Sequence, residues 1–320
     1  MFHMTSADVE TFHRDGVVCL RGVLTPAAIE DLGDAIESAI GAIGSTPTGY
    51  DVTAVADAVW RHREMAYGPE GANQYDLQAL ADYVHAQGAQ PLRDSDLKAG
   101  GRFLLDTGVW TRSHSMRRVA LSNALAEVAG VLLDARHVRF YDDQIFVKEP
   151  GTVERTAFHQ DLGYFNVEGD QGCVMWIPID RATRATGSLG YVRGSHLWNA
   201  TFKPNMFTTR LAFPGSEGDD LPDIDNHEAD YDIVYFDVEP GDVVVHHFRT
   251  VHGSHGNAST TQTRRAASLR YVGENVRFRR RPGAPAQPHR PLEHWADGAE
   301  LCDPWFPLVW RRDKHAVAAE

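Results

Sequence analysis

Cysteine is scarce in this chain: Cys19, Cys173 and Cys302 are the three among 320 residues. An odd, widely spaced set forms no disulfide framework, and it predicts a reducing, cytoplasmic setting. No apolar run approaches the roughly 18–20 residues needed to cross a bilayer. The first residues, Met-Phe-His-Met-Thr-Ser-Ala-Asp, lack the basic-then-apolar layout of a secretory signal. Cations are in deficit, 31 Lys and Arg against 44 Asp and Glu, for a net charge of −13. That balance argues against nucleic acid or an anionic membrane as the main partner and leaves a small-molecule substrate. A Walker loop, a Gly-x-Gly-x-x-Gly turn, a Cys-x-x-Cys pair and a nucleophile elbow are all missing. With them go the usual signatures of nucleotide binding, thiol redox chemistry and serine hydrolysis.

What is present is an ordinary globular composition, 42% hydrophobic and 23% charged, in a chain long enough to bury a large core. The spacing predicts a helical N-terminal flank over 1–135. It holds a short helix capped by Thr5 or Ser6, a brief strand at Val17–Leu20, and a helix opened by Thr25-Pro26 with Ile29, Leu32, Ile36 and Ile40 at helical intervals. Helical pieces follow around 52–66 and 75–87, a stretch studded with Tyr50, Trp60, Tyr67, Tyr75 and Tyr83, and a third helix is expected over 115–133. From 137 the period changes to two. Segments 137–148, 155–160, 172–180, 188–192, 233–237, 242–248 and 265–273 read as strands. Helices followed by many short strands predict a mainly β core over 136–275, a barrel or sandwich with helices on one side. The turn-rich interval 202–232 reads as a lid loop. Residues 276–320, with Arg277, Arg279, Arg280 and Arg281, read as an irregular basic tail.

Within the β region stands His159-Gln160-Asp161. On an extended strand an imidazole and a carboxylate two positions apart point the same way, and a second imidazole from a distant strand completes a three-point face on one metal. Two His and one carboxylate with open positions is the facial arrangement of non-haem Fe(II) oxygenases. With 16 His and 28 Asp, one or two such triplets are expected by chance, so context decides. His13-Arg14-Asp15 ends at Gly16 and reads as a helix terminus. His62-Arg63-Glu64 offers a related spacing. His159 sits among strand residues. Four histidines compete for the distal position: His246, His247, His252 and His255. His246 and His247 have opposite facings, so one of them at most looks inward. Arg264 and Arg265 open another strand, and one of the two must point in. A guanidinium inside a barrel needs an anion. Gln144, Phe146 and Lys148 share one strand face, with Ile145 and Val147 on the other, and Trp176 either walls a pocket or fills core.

Taken in order, these pieces resemble the phytanoyl-CoA dioxygenase family of Fe(II)/2-oxoglutarate oxygenases. The resemblance runs through Phe12-His-Arg-Asp-Gly-Val-Val, Leu20-Arg-Gly-Val-Leu-Thr-Pro26, Asp143-Gln-Ile-Phe-Val-Lys148, His159-Gln-Asp161 and Trp176-Ile-Pro-Ile-Asp180. It continues through Gly187-Ser-Leu189, Gly194-Ser-His196, Pro240-Gly-Asp242, His252-Gly-Ser254, Asn257 and Arg264. It implies a double-stranded β-helix, or jelly roll, as the core of one domain over 1–320. It also implies Fe(II) held by His159, Asp161 and His252, with 2-oxoglutarate and O2 as co-substrates. Arg264 is implied as the partner of the distal carboxylate, assisted by Ser254, with Lys148, Gln144 and Trp176 near the co-substrate. The gap from His252 to Arg264 is one residue longer than the family pattern, which keeps Arg265 in contention. A carboxylate at 161 favours hydroxylation, desaturation or ring formation over halogenation, because halogenases of this type lack that ligand. The competing readings are a cupin-like metal isomerase or hydrolase without 2-oxoglutarate, and a non-catalytic binding module. For Arg277–Arg281 they are a site for CoA phosphates and a solvated tail.

Overall fold

A computed structural model describes residues 2–61 and 77–312. Tyr67, Tyr75 and the His62-Arg63-Glu64 triplet lie outside the described residues.

The helices start and stop for reasons visible at their ends. In α1 (Ser6–Asp15) the Thr5 hydroxyl accepts from the Asp8 N–H, and the Asp8 carboxylate accepts from the Thr5 N–H at 2.8 Å. Gly16 closes it with φ 76°, a left-handed value that favours glycine. His13-Arg14-Asp15 is therefore the last turn of a surface helix, with Arg14 paired to Asp15. α2 (Pro26–Gly41) has Thr25 as its N-cap and buries Leu32, Ala35, Ile36 and Ala39. α3 (Val52–Arg61) and α4 (Leu77–Ala86) follow. The single helix expected over 115–133 is two, α5 (His114–Ala120) and α6 (Asn123–Leu132). The break falls at Leu121-Ser122, and Ser122, a residue type that prefers caps to helix interiors, is the N-cap of α6.

Fourteen strands are described: β1 (Val17–Leu20), β2 (Tyr50–Asp51), β3 (Phe103–Thr107), β4 (His137–Lys148), β5 (Thr156–Gln160), β6 (Val167–Glu168), β7 (Gly172–Pro178), β8 (Leu189–Val192), β9 (Ile233–Tyr235), β10 (Val243–His247), β11 (Val251–Ser254), β12 (Arg264–Gly273), β13 (Arg277–Phe278) and β14 (Leu308–Arg311). The larger sheet runs β1-β10-β7-β12-β4-β3-β2, with β14 also on β4; the smaller runs β5-β11-β8-β9; β6 and β13 form a separate pair. Between β4 and β12 the chain passes back and forth between the two main sheets. The core is a double-stranded β-helix, mainly β with flanking helices.

Alternation along the large sheet sorts its side chains. Ile145, Val147, Met175, Ile177, Val243, Val245, Ala267 and Leu269 join one buried cluster with Leu32 and Ile36 of α2, and with Met116, Leu125, Ala129 and Leu132 of α5 and α6. Their neighbours Gln144, Phe146, Trp176, His246, Ser268 and Arg270 face a cavity between the sheets. The apolar side binds the helices, and the polar and aromatic side is left for chemistry.

Two expectations need correction. The N-terminal flank holds more strand than the expected β1, because β2 and β3 also widen the large sheet. The C-terminal segment is largely irregular but is not a solvated tail. Phe278, Leu292, Leu301 and Phe306 are buried with Tyr141, Phe165 and Phe248. Its arginines are spent on this chain: Arg277 pairs with Glu300 at 3.2 Å, Arg279 with Glu168 at 3.0 Å, and Arg281 donates to the Phe165 and Val167 carbonyls. Arg290 is buried, donates to the Asp142 carboxylate at 2.8 Å and to the Tyr141 carbonyl, and lies over the Tyr141 ring. Replacing Arg290 by Gln leaves the buried Asp142 charge poorly answered. A loss of about 3–5 kcal/mol is expected in urea unfolding; a loss within experimental error would mean that the Arg290–Asp142 pair does not stabilise the fold.

Candidate metal centre

β5 and β11 pair antiparallel, and His159 stands directly opposite His252. Gly253 keeps the strands close: a Cβ there would meet the Thr156 carbonyl oxygen at 2.9 Å and the Phe158 nitrogen at 3.0 Å. Asp161 is not on the strand itself. It opens a 3-10 turn, Asp161–Tyr164, but Gln160 before it is still extended (φ −112°, ψ 129°), so the alternation carries through and Asp161 follows His159 to the same side. One ligand atom from each of His159, Asp161 and His252 lies within 4.8 Å of the other two, and all three residues are buried.

Both imidazoles are oriented the same way. Nδ1 of His159 lies 2.8 Å from the Ala157 carbonyl, and Nδ1 of His252 lies 3.0 Å from the Thr250 carbonyl. A proton on each Nδ1 satisfies those carbonyls and leaves each Nε2 bare toward the Asp161 carboxylate, at 3.7 and 3.9 Å. Burial, helped by His252, lowers the His159 pKa to about 4. Burial, helped by His246, does the same for His252. Both imidazoles are neutral near pH 7. Burial pushes the Asp161 carboxyl up, but His252, the hydrogen bond from His246 and the charge effect of His159 outweigh it and hold the group well below the usual carboxylate range.

The four competing histidines separate cleanly. His246 points inward, with Nε2 3.1 Å from Asp161 Oδ2. His247 points out, to the Asp170 carbonyl at 2.6 Å. His255 lies between Asp94 and Glu228. His252 alone of the four faces His159 across the pairing. His246 as a partner of the carboxylate escaped the sequence reading, which saw an inward residue on β10 but not what it would touch.

The inner cavity is walled by Gln144, Phe146, Trp176, Ser254, Arg264 and Arg270 around the three candidate ligands. Arg264 is 2% exposed. Its Nη1 donates to the Phe146 carbonyl at 3.2 Å, its Nε has no partner, and burial brings its pKa down to about 10. Arg265 faces the other way and is held by Asp180 and Glu37. Lys148, expected beside the co-substrate, lines neither this cavity nor the one outside it. Its ammonium donates to the Glu154 and His255 carbonyls and to Ser254 Oγ at 2.9 Å, because a buried ammonium must find acceptors. It braces Ser254 from behind. An outer cavity shares Gln144, His159, Asp161, Phe207 and Arg270 with the inner one and adds Tyr164, Phe165, Phe213 and residues 285–289. Phe207, from the 202–232 interval, has φ 63°, a left-handed conformation uncommon for a bulky side chain. Its ring stacks on Phe146 and lies 5.7 Å from the His159 ring.

The model of the phytanoyl-CoA dioxygenase (PhyH) family matches residues 12–266. The chain belongs to that family. A probable phytanoyl-CoA dioxygenase of Caenorhabditis elegans is 29% identical over 125 residues, which are 39% of this chain. The match spans 38% of that relative's length. The crystal structure of SnoK, a non-heme α-ketoglutarate-dependent carbocyclase of nogalamycin biosynthesis, is similar over 96% of this chain and 97% of its own, with TM-score 0.62 and 20% identity. The structure of EctD from S. alaskensis, solved with 2-oxoglutarate and 5-hydroxyectoine, covers 90% of this chain and 82% of its own at TM-score 0.53 and 19% identity. At these identities the similarity establishes a shared fold. In this member of the PhyH family, His246 is the residue that holds the carboxylate of the candidate triad. His246→Leu is expected to weaken Co(II) binding about 10–100-fold in a spectroscopic titration, with the melting temperature of the metal-free protein as a check on folding.

Proposed function

We propose that this chain is an Fe(II)/2-oxoglutarate-dependent oxygenase that hydroxylates an unactivated C–H bond of a small organic molecule. The observation that supports it best is one cavity with two features: three clustered, buried ligand atoms, and the underused guanidinium of Arg264. The donor set suits iron, since two neutral imidazoles and one carboxylate leave positions open for other ligands. The buried guanidinium suits a co-substrate with a carboxylate at its far end, because an unanswered cation inside a protein is costly. Iron, 2-oxoglutarate and O2 together would supply the oxidising power, with succinate and CO2 as by-products.

The residues of this chain have narrower tasks. His159 and His252 would present Nε2 to the metal, each fixed by a carbonyl of its own strand or the turn before it. Asp161 would add one carboxylate oxygen, and His246 would hold the group in place. Arg264 would take the distal carboxylate of 2-oxoglutarate, while Trp176, whose ring centroid is 5.9 Å from the Arg264 guanidinium carbon, would wall the co-substrate in. Ser254, braced by Lys148, and Gln144 complete that wall. The candidate ligands are buried, which favours charge-based positioning. A lid role for 202–232 is part of the same proposal, with Phe207 as its contact to the centre.

Two substitutions test the reading. Asp161→Ala is expected to abolish 2-oxoglutarate-to-succinate turnover in a metabolite-panel screen; undiminished turnover refutes the site. Arg264→Leu is expected to raise the KM for 2-oxoglutarate about 10–100-fold, the loss of roughly 1.5–3 kcal/mol that a charge-assisted hydrogen bond carries. An unchanged KM points to another anchor.

A further inference from the structure

Arg264 has a counterpart. Arg270 lies six residues along the same face of β12, so their Cα atoms are roughly 20 Å apart at the usual strand rise. It is 5% exposed and carries five N–H donors. Nη2 donates to Gln144 Oε1 at 2.5 Å. Nε has no partner, and among the described residues no carboxylate lies within 4 Å of its nitrogens. The guanidinium carbon is 4.9 Å from the Phe165 ring centroid. Arg264 lines the inner cavity alone, whereas Arg270 lines both the inner and the outer one.

We propose that Arg270 anchors the organic substrate, by receiving a carboxylate on a small molecule whose apolar or aromatic body lies in the outer cavity. The inference rests on the reading that Arg264 serves 2-oxoglutarate. The walls of the outer cavity fit such a body: Tyr164, Phe165, Phe207 and Phe213 supply flat apolar surface. Asp142 also faces it, and an unanswered carboxylate there would repel an anion. That charge is already claimed, by Arg290 at 2.8 Å and His289 at 3.0 Å. Asp143 points to the opposite face of β4, where it accepts from the Val109 and Trp110 N–H groups.

Charge balance points the same way. Arg264 and Arg270 line the cavities and Arg290 reaches Asp142 from outside them; to these three guanidiniums the proposed metal adds two positive charges. Asp142 and Asp161 answer two of these five, and dianionic 2-oxoglutarate answers two more. One positive charge is left, at Arg270. Buried surplus charge is costly, and one carboxylate removes it with the bidentate geometry a guanidinium favours. The carboxylate fixes one end of the substrate, and the body beyond it selects which C–H bond lies near His159 and Asp161, the candidate ligands that border the outer cavity.

The test uses the full chain loaded with Zn(II) and saturated with 2-oxoglutarate, titrated calorimetrically with benzoate and with its neutral isostere benzamide. Wild type is expected to prefer benzoate by about tenfold or more, the scale of one charge-assisted hydrogen bond. Arg270→Gln is expected to erase that preference while Zn(II) and 2-oxoglutarate bind as before. Arg270→Lys, which keeps the charge without the fork, is expected to retain part of it. Equal binding of the two probes by wild type overturns the proposal without reference to any variant. So does a benzoate preference that survives Arg270→Gln, or a loss of 2-oxoglutarate binding in a folded Arg270→Gln protein, which would assign the residue to the co-substrate. Arg264→Gln separates the two readings: it should lose 2-oxoglutarate and keep the benzoate preference. If wild type itself binds no 2-oxoglutarate, the proposed function fails instead.

Discussion

The pairing of β5 with β11 is the constraint on which the rest of the centre depends. It sets His159 against His252, residues ninety-three positions apart in sequence, as direct partners. Because side chains alternate with period two, a slip of one residue would turn one imidazole to the opposite face and dismantle the cluster. The register is held from several sides. Gly253 lets the backbones approach, Gln160 ties the end of β5 to the Ala200 and Arg249 carbonyls, and β8 pairs with the other edge of β11. A metal site placed on paired strands inherits the stiffness of the ladder, which a loop-borne site would lack.

A second constraint follows from burial. The large sheet turns aliphatic residues toward the helices and leaves polar and aromatic ones facing inward. Polar groups in a dry cavity must be satisfied or be there for a ligand. Several polar groups in and around the cavities are satisfied within the protein: Lys148, behind the wall, by three oxygens, Asp142 by Arg290 and His289, and His246 by Asp161. Against that background Arg264 and Arg270 stand out, each with a buried Nε that no protein atom answers. Other buried atoms also lack a partner, the Nε of Arg93, Arg155 and Arg290 among them, but of these arginines only Arg264 and Arg270 line the inner cavity.

Periodicity made most strands from His137 to Gly273 legible, and with them His159 and Asp161, because it rests on local alternation; β6 and β11 were missed, and His252 was reached through motif order and the family resemblance. What the sequence did not disclose depended on partners distant in the chain. Alternation required Arg264 and Arg265 to face opposite ways, but which one looked inward was fixed by Asp180 and Glu37 on the outside. Lys148 shares a face with Gln144 and Phe146, yet its long side chain left the cavity for acceptors on β11 and the turn before β5. Counting in twos from Arg264 reaches Arg270, so that residue was available to the same rule and was passed over as one more strand position. Phe207 offered no signal at all, since its place over His159 comes from a long interval with no periodicity.

The two arginines, the triad and Phe207 also bear on how one scaffold can support different outcomes. SnoK, with a shared fold, is a carbocyclase, and SnoN, from the same biosynthesis, is an epimerase. A metal centre of this kind acts on whichever bond is held near it, so the outcome depends on where the substrate is fixed. In this chain the inner end of the cavity, at Arg264 and Trp176, is built from two neighbouring strands of the large sheet, β12 and β7. The outer end combines sheet residues such as Leu105, Thr107, Asp142 and Gln144 with parts that lie outside the two main sheets: Phe207 in a strained backbone conformation, and residues 285–289 beside the buried Arg290. Segments of that sort can change length and composition without disturbing the ladder that carries His159 and His252. On the proposed reading the co-substrate end would be constrained by the sheet, while substrate choice would rest partly on segments that the sheet does not fix, with Arg270 at the boundary between the two.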